Sequence, residues 1–166
     1  MSNNIVANVV GFSQLAAPAL GTIIFTHGLS SWASIPALLE SGIDNFSISY
    51  WVSKYNKLSG TPELLTLLAS IGFGLNAALH LPFRSFARFY YLIGAISSFG
   101  YLLFVPYFRY KTAKIADYSN AHKSDPANPP RKEIKTWLRV QFVSSLFDLA
   151  GAGFFWYGLY NAINLK

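Results

Sequence analysis

The sequence predicts an all-α integral membrane protein, a four-helix bundle with a short interfacial helix after the first span. Composition points to it first: 52% of the 166 residues are apolar and only 12% are charged, about half the charge of a soluble domain. The few charges are also clustered. From Met1 to Leu39 there is no Lys, Arg, Asp or Glu, and between Val140 and Leu165 only Asp148 interrupts. A soluble chain of this size cannot hide such stretches in one small core, so lipid is the simpler solvent. The third observation is length, since several apolar runs reach the roughly 20 residues that a helix needs to cross a bilayer core of about 30 Å.

The spans are expected at residues 10–31, 62–81, 87–107 and 138–162, within a single membrane domain covering 1–166. The first apolar run continues to Leu39, too long for one straight crossing. Its tail at 32–39, with Pro36 inside, is expected to bend along the interface. Pro18 is expected to kink the first helix, because it removes a backbone donor. After it, Ile43, Phe46 and Tyr50, then Trp51, Tyr55 and Leu58, recur at helical spacing and predict the interfacial helix. Residues 108–137 form a basic loop, in which Asp125 to Pro130 is a polar, proline-stiffened stretch.

Lys54, Lys57, Arg109, Lys111, Lys114, Lys123, Arg131, Lys132, Lys135 and Arg139 stand on one side of the predicted spans. Only Arg84, Arg88 and Lys166 stand on the other. The positive-inside rule then puts loops 40–62 and 108–137 on the cytosolic or matrix side and both termini opposite. The membrane is expected to be the mitochondrial inner membrane or the endoplasmic reticulum. No basic stretch precedes the first apolar run and no Ala-x-Ala-like site follows it, which argues against a removable signal peptide. The net charge of +6 flanks spans, so it predicts attraction to anionic headgroups rather than nucleic acid. The sequon Asn45-Phe46-Ser47 falls on the side where glycosylation does not occur.

Lipid offers helices no hydrophobic reason to pair, so close packing comes from small residues. Ser70, Gly74 and Ala78 share one face of the second span. Ala17 and Gly21 on the first, Gly94 and Ser98 on the third, and Gly151 on the fourth are their expected counterparts. These faces serve the bundle itself, or one of them docks a partner subunit.

Ionisable residues at membrane depth are costly, on the order of 2.5–3.5 kcal/mol by insertion scales. Asp148 lies well inside the fourth span and His27 near the end of the first, in the half next to the basic loops. They are expected either to satisfy each other as a buried pair or to act as proton acceptors. His80 is expected at the far interface, while Asn76, Gln14 and Gln141 suit interhelical hydrogen bonds. The absence of cysteine excludes disulfides, thiolate metal sites and a thiol nucleophile. His27, His80 and His122 show no metal spacing, and neither a phosphate-binding glycine loop nor a nucleophile–base arrangement is present. No metal or cofactor is therefore expected.

With the spans placed, the chain resembles the anthrone-oxygenase-like family of small four-helix membrane proteins, long catalogued as a domain of unknown function. The resemblance rests on several features. The small-residue-rich first span ends in Ser31-Trp-Ala-Ser-Ile-Pro-Ala-Leu-Leu39 and is followed by Trp51, Tyr55 and Gly60. The third span closes on Val105-Pro-Tyr107, Asn120 lies in the basic loop, and Trp137 opens the last span. The chain departs from the family where His or Asn, then Arg, often follow that last Trp; here Gln141 and Ser144 stand. The resemblance implies oxidation of a flat aromatic anthrone by dioxygen without metal or flavin. Under it, His27 or Asp148 is the base, and Trp32, Trp51, Tyr55 and Trp137 line the slot. Few intramembrane polar groups, 28 aromatic residues and the missing pair favour instead a non-catalytic accessory or scaffold subunit of a larger membrane complex. A channel or transporter has the least support, since one or two buried charges offer little for a hydrated path.

Overall fold

The computed structural model describes residues 2–40, 42–120 and 130–164. They form five helices: α1 (Ser2–Glu40), α2 (Asn45–His80), α3 (Phe86–Leu102), α4 (Val105–Asn120) and α5 (Pro130–Ile163). Four helical segments are long and apolar enough to cross a membrane: Ile5–Glu40, Asn45–His80, Phe86–Tyr118 and Pro130–Ile163. The outer surface agrees, with Phe12, Leu79, Phe99 and Tyr160 among the large side chains facing outwards. The protein is an all-helical bundle of integral-membrane type.

Chemistry at the helix ends sets the boundaries. Asp44 caps α2 by accepting from the Ser47 N–H at 2.9 Å and the Ser47 hydroxyl at 2.7 Å. Those bonds stabilise its carboxylate and lower its pKa. Ser85 caps α3 by accepting from the Arg88 N–H. Pro106 lacks the N–H that would continue α3, and the chain makes a turn at Leu103 and Phe104 before α4 begins. Pro130 opens α5, where the missing donor costs nothing.

Two hydrophobic cores lie along the bundle. One gathers Ala17, Ile24, Leu67, Tyr91, Ala95, Phe155 and Leu159. The other, at the basic end, gathers Ile35, Leu39, Ile48, Val52, Ile115, Ile134, Trp137 and Leu138. This second core corrects three expectations. The tail of the first helix does not bend away, because Ile35 and Leu39 are buried in it and α1 runs on through Pro36. The interfacial helix is not a separate element: residues 45–58 continue into α2 through Pro62. Their apolar face, with Ile48 and Val52, meets protein instead of headgroups, and extending a formed helix adds one bond per residue fixed. The basic loop is much shorter than 108–137, since α4 reaches Asn120 and α5 starts at Pro130. Residues 121–129, including Lys123 and most of the proline-rich stretch, lie outside the described residues.

Small residues mark where helices touch. A Cβ on Gly94 would stand 2.6 Å from the Phe155 ring, and one on Gly74 would overlap the same ring. Gly151 backs onto Ser98 and the Gly94 carbonyl, and Gly21 onto Ala152. Ser70 donates to the Ala17 carbonyl at 2.8 Å, and Ala78 is fully buried. Asn76 donates to Ser13 at 2.7 Å, and Tyr91 to the Gln14 carbonyl at 2.8 Å. His80 lies exposed on its own helix, bonded to the Asn76 carbonyl.

Two charged clamps close the basic end. Glu133 takes Lys111 at 2.5 Å and Lys114 at 2.7 Å, joining α5 to α4. Arg131 donates to Asn45 Oδ1 and to the carbonyls of Leu39 and Ile43, joining α5 to the hinge between α1 and α2. Bonds to a charged donor contribute about 1.5–3 kcal/mol each. Arg131→Ala is therefore expected to lower stability in detergent by at least about that amount, read as an earlier thermal unfolding transition. The sequon amide of Asn45 is held in the same clamp, at the first turn of α2.

Candidate functional site

His27 and Ser31 lie four apart on α1, and Tyr55 and Glu63 eight apart on α2, so each pair shares a helix face. Where those faces meet, a polar chain crosses from helix to helix. The Tyr55 hydroxyl lies 2.5 Å from Ser31 Oγ and 3.1 Å from His27 Nε2. His27 Nδ1 stands 3.6 Å from Glu63 Oε2, and Tyr101 on α3 donates to Glu63 Oε1 at 3.2 Å. The His27 and Tyr55 rings stack, only 8° from parallel.

Proton counting orients this network. Ser31 donates to the His27 carbonyl, so its oxygen accepts from Tyr55. Tyr55 has one proton and must in turn accept from Nε2–H. Nδ1 is then left facing the Glu63 carboxyl. A carboxyl with a tyrosine donor at 3.2 Å and a histidine nitrogen 3.6 Å away is the chemistry this arrangement provides.

His27 and Asp148 do not form a pair. Gly28, the next residue on α1, faces Ser145 and Gln141 of α5. One residue is about 100° of helix rotation, which carries His27 round to α2 and Glu63. Asp148 is 2% exposed, and its Oδ1 has no hydrogen-bond partner among the described residues.

Beside the network lies a cavity of about 450 Å³, with Tyr55, Glu63, Tyr101, Phe108, Trp137 and Gln141 in its wall. That volume suits a small organic ligand. Trp137 is buried, and its indole N–H has no acceptor among the described residues; an unmet buried donor costs about 1–3 kcal/mol. Of the four aromatics expected to line a slot, Tyr55 and Trp137 do so. Trp32 and Trp51 do not: Trp32 is largely exposed and packs on Phe142, and Trp51 is exposed and stacks on the outer side of the site against Tyr55. The expected bases also stand back from the cavity. Neither His27 nor Asp148 lines it, and Glu63 is the carboxyl that does.

Glu63 and Tyr101 were not among the residues singled out from sequence. Glu63 sits beside Pro62 at the expected mouth of the second span, where a carboxylate passes for a boundary residue. Its distance of eight from Tyr55 was the available signal. Tyr101 looks like any belt tyrosine until α3 turns it towards α2. Among the described residues no group of three or more His, Asp or Glu side chains is placed to hold a metal ion. Compared with family models, curated proteins and solved structures, the chain matches none of them.

Proposed function

We propose that this protein is a membrane-embedded, cofactor-independent enzyme that removes a proton from a flat aromatic carbon acid in the cavity at its basic end. The observation that carries this reading is the Glu63 carboxyl, which lines an aromatic-walled cavity and is backed by His27 and Tyr101. The resemblance to anthrone oxygenases suggests the reaction. Glu63 takes a proton from the ring CH₂ of an anthrone, leaving an electron-rich enolate, and His27 takes up the charge change through Nδ1. The enolate carbon adds dioxygen to give a peroxide. Loss of the second C–H proton with cleavage of the O–O bond releases water and leaves the quinone carbonyl. Trp137, whose indole N–H has no acceptor among the described residues and which lines the same cavity, supplies a donor for the developing oxyanion.

The accessory-subunit reading rests on few intramembrane polar groups, 28 aromatic residues and the missing pair, and in part on small-residue faces such as Ser70, Gly74 and Ala78. That face is taken up inside the bundle by Ala17 and Phe155, which removes one support of the subunit reading. The test is anthrone oxidation by the purified protein in mild detergent, followed by dioxygen uptake and quinone absorbance, with native mass measured on the same sample. Turnover by a monomer or small homo-oligomer supports the proposal. An inactive protein held in a defined larger complex would replace it with the subunit reading.

The proposed sidedness puts the α1–α2 hinge and α4 in the cytosol or matrix, with the basic residues against anionic headgroups. The chain has no cysteine, so one introduced at Lys123 reports topology directly. It is expected to react with an impermeant maleimide only after the membrane is opened from that side.

A further inference from the structure

Three cations at the basic end have partners within the protein. Lys111 and Lys114 are engaged by Glu133, and Arg131 is engaged at the hinge between α1 and α2. Lys57 and Arg109 also stand at this end, in the wall of the cavity, and both are exposed. Among the described residues neither takes part in an ion pair. Behind this rim the wall turns apolar at Leu64, Val105 and Phe108. At its buried end stand Tyr101, Gln141 and Trp137, the last with an indole N–H that finds no acceptor among the described residues.

We propose that the cavity recognises an aromatic acid: a flat apolar body, an anionic group held by Lys57 and Arg109 at the rim, and a carbonyl or hydroxyl oxygen at the buried end. This rests on the reading of the cavity as the substrate site and adds the acidic group to it. The charges also set the ligand's direction. Glu63 faces the same space, but its two oxygens are already engaged by His27 and Tyr101. An acid is repelled from that end and drawn to the rim, which turns the ligand's uncharged end towards the carboxyl. The ligand oxygen also supplies the acceptor that Trp137 lacks.

The probes are anthraquinone-2-carboxylate and uncharged anthraquinone, measured by equilibrium dialysis of the full chain in micelles against protein-free micelles. The carboxylate is expected to bind about tenfold more tightly than the neutral compound, as a charge-assisted contact predicts. The double variant Lys57→Gln, Arg109→Gln should bring the two affinities together while leaving the neutral one unchanged. Trp137→Phe, which keeps the ring and removes only the N–H, should weaken both alike. Equal binding of the two probes by the unaltered protein would overturn acid recognition and leave the cavity as a ligand site. Acid preference that survives in the double variant would also overturn it. Displacement of the carboxylate by stoichiometric phosphatidic acid would assign the rim to a lipid headgroup and overturn the proposal. Binding of neither probe would remove the substrate-site reading as well.

Discussion

Glu63→Gln is expected to cut turnover of an anthrone about 10²–10⁴-fold, the range that a positioned acid or base contributes, while the bundle stays folded. The amide keeps the shape of the carboxyl and can still accept from Tyr101, so packing is preserved. It cannot take a proton, and it leaves His27 without its negative partner. His27→Gln should cost less, because it removes the group behind the base and leaves the base itself. Asp148→Asn provides the contrast, since Asp148 does not line the cavity; its effect should fall on stability rather than turnover. Rates under single-turnover conditions, alongside unfolding temperatures, check all three. Full activity in Glu63→Gln would remove the catalytic assignment.

Phe155→Ala is expected to be the most damaging packing change, costing about 3–5 kcal/mol by the behaviour of buried aromatics. Phe155 is fully buried, and its ring fills the space left by Gly74 and Gly94 beside Tyr91. Lipid gives helices no hydrophobic reason to associate, so contact between well-fitted surfaces holds them, and an unfilled void forfeits it. Thermal unfolding in detergent should show an early transition. Phe99→Ala is the control: Phe99 is 56% exposed on the lipid-facing side, where a change within about 0.5 kcal/mol is expected. Gly94→Ala should cost about 1–3 kcal/mol in the unaltered protein, because its Cβ would press on Phe155. In the Phe155→Ala background it should cost clearly less, leaving only the Gly151 carbonyl 3.1 Å from the new Cβ, and that coupling is the signature of direct contact.

The distribution of charge made the class of this protein legible. A stretch without Lys, Arg, Asp or Glu from Met1 to Leu39 and another broken only by Asp148 demand an apolar solvent wherever the helices end up. Helix ends were less legible. Pro36 and Pro62 were read as bends or boundaries, yet both lie inside continuous helices. A proline removes one bond, and the burial of Ile35, Leu39, Ile48 and Val52 in the second core outweighs that loss.

The site divides along the same line. His27, Asp148, Tyr55 and Trp137 stand out in sequence because ionisable and amphipathic side chains at membrane depth need a reason to be there. Which of them meet depends on the rotation of each helix about its axis. Counting residues along a span gives depth, but leaves that rotation open. The sequence by itself thus determined an all-helical membrane protein, with its basic residues gathered at one end and its ionisable groups in the half nearest them. Only the tertiary structure decided that His27 turns to Glu63 and away from Asp148, that Glu63 faces the cavity, and that Trp32 and Trp51 stay outside it. Helix depth is written in local hydrophobicity, whereas the choice of facing partner is made by small-residue contacts between segments far apart in the chain.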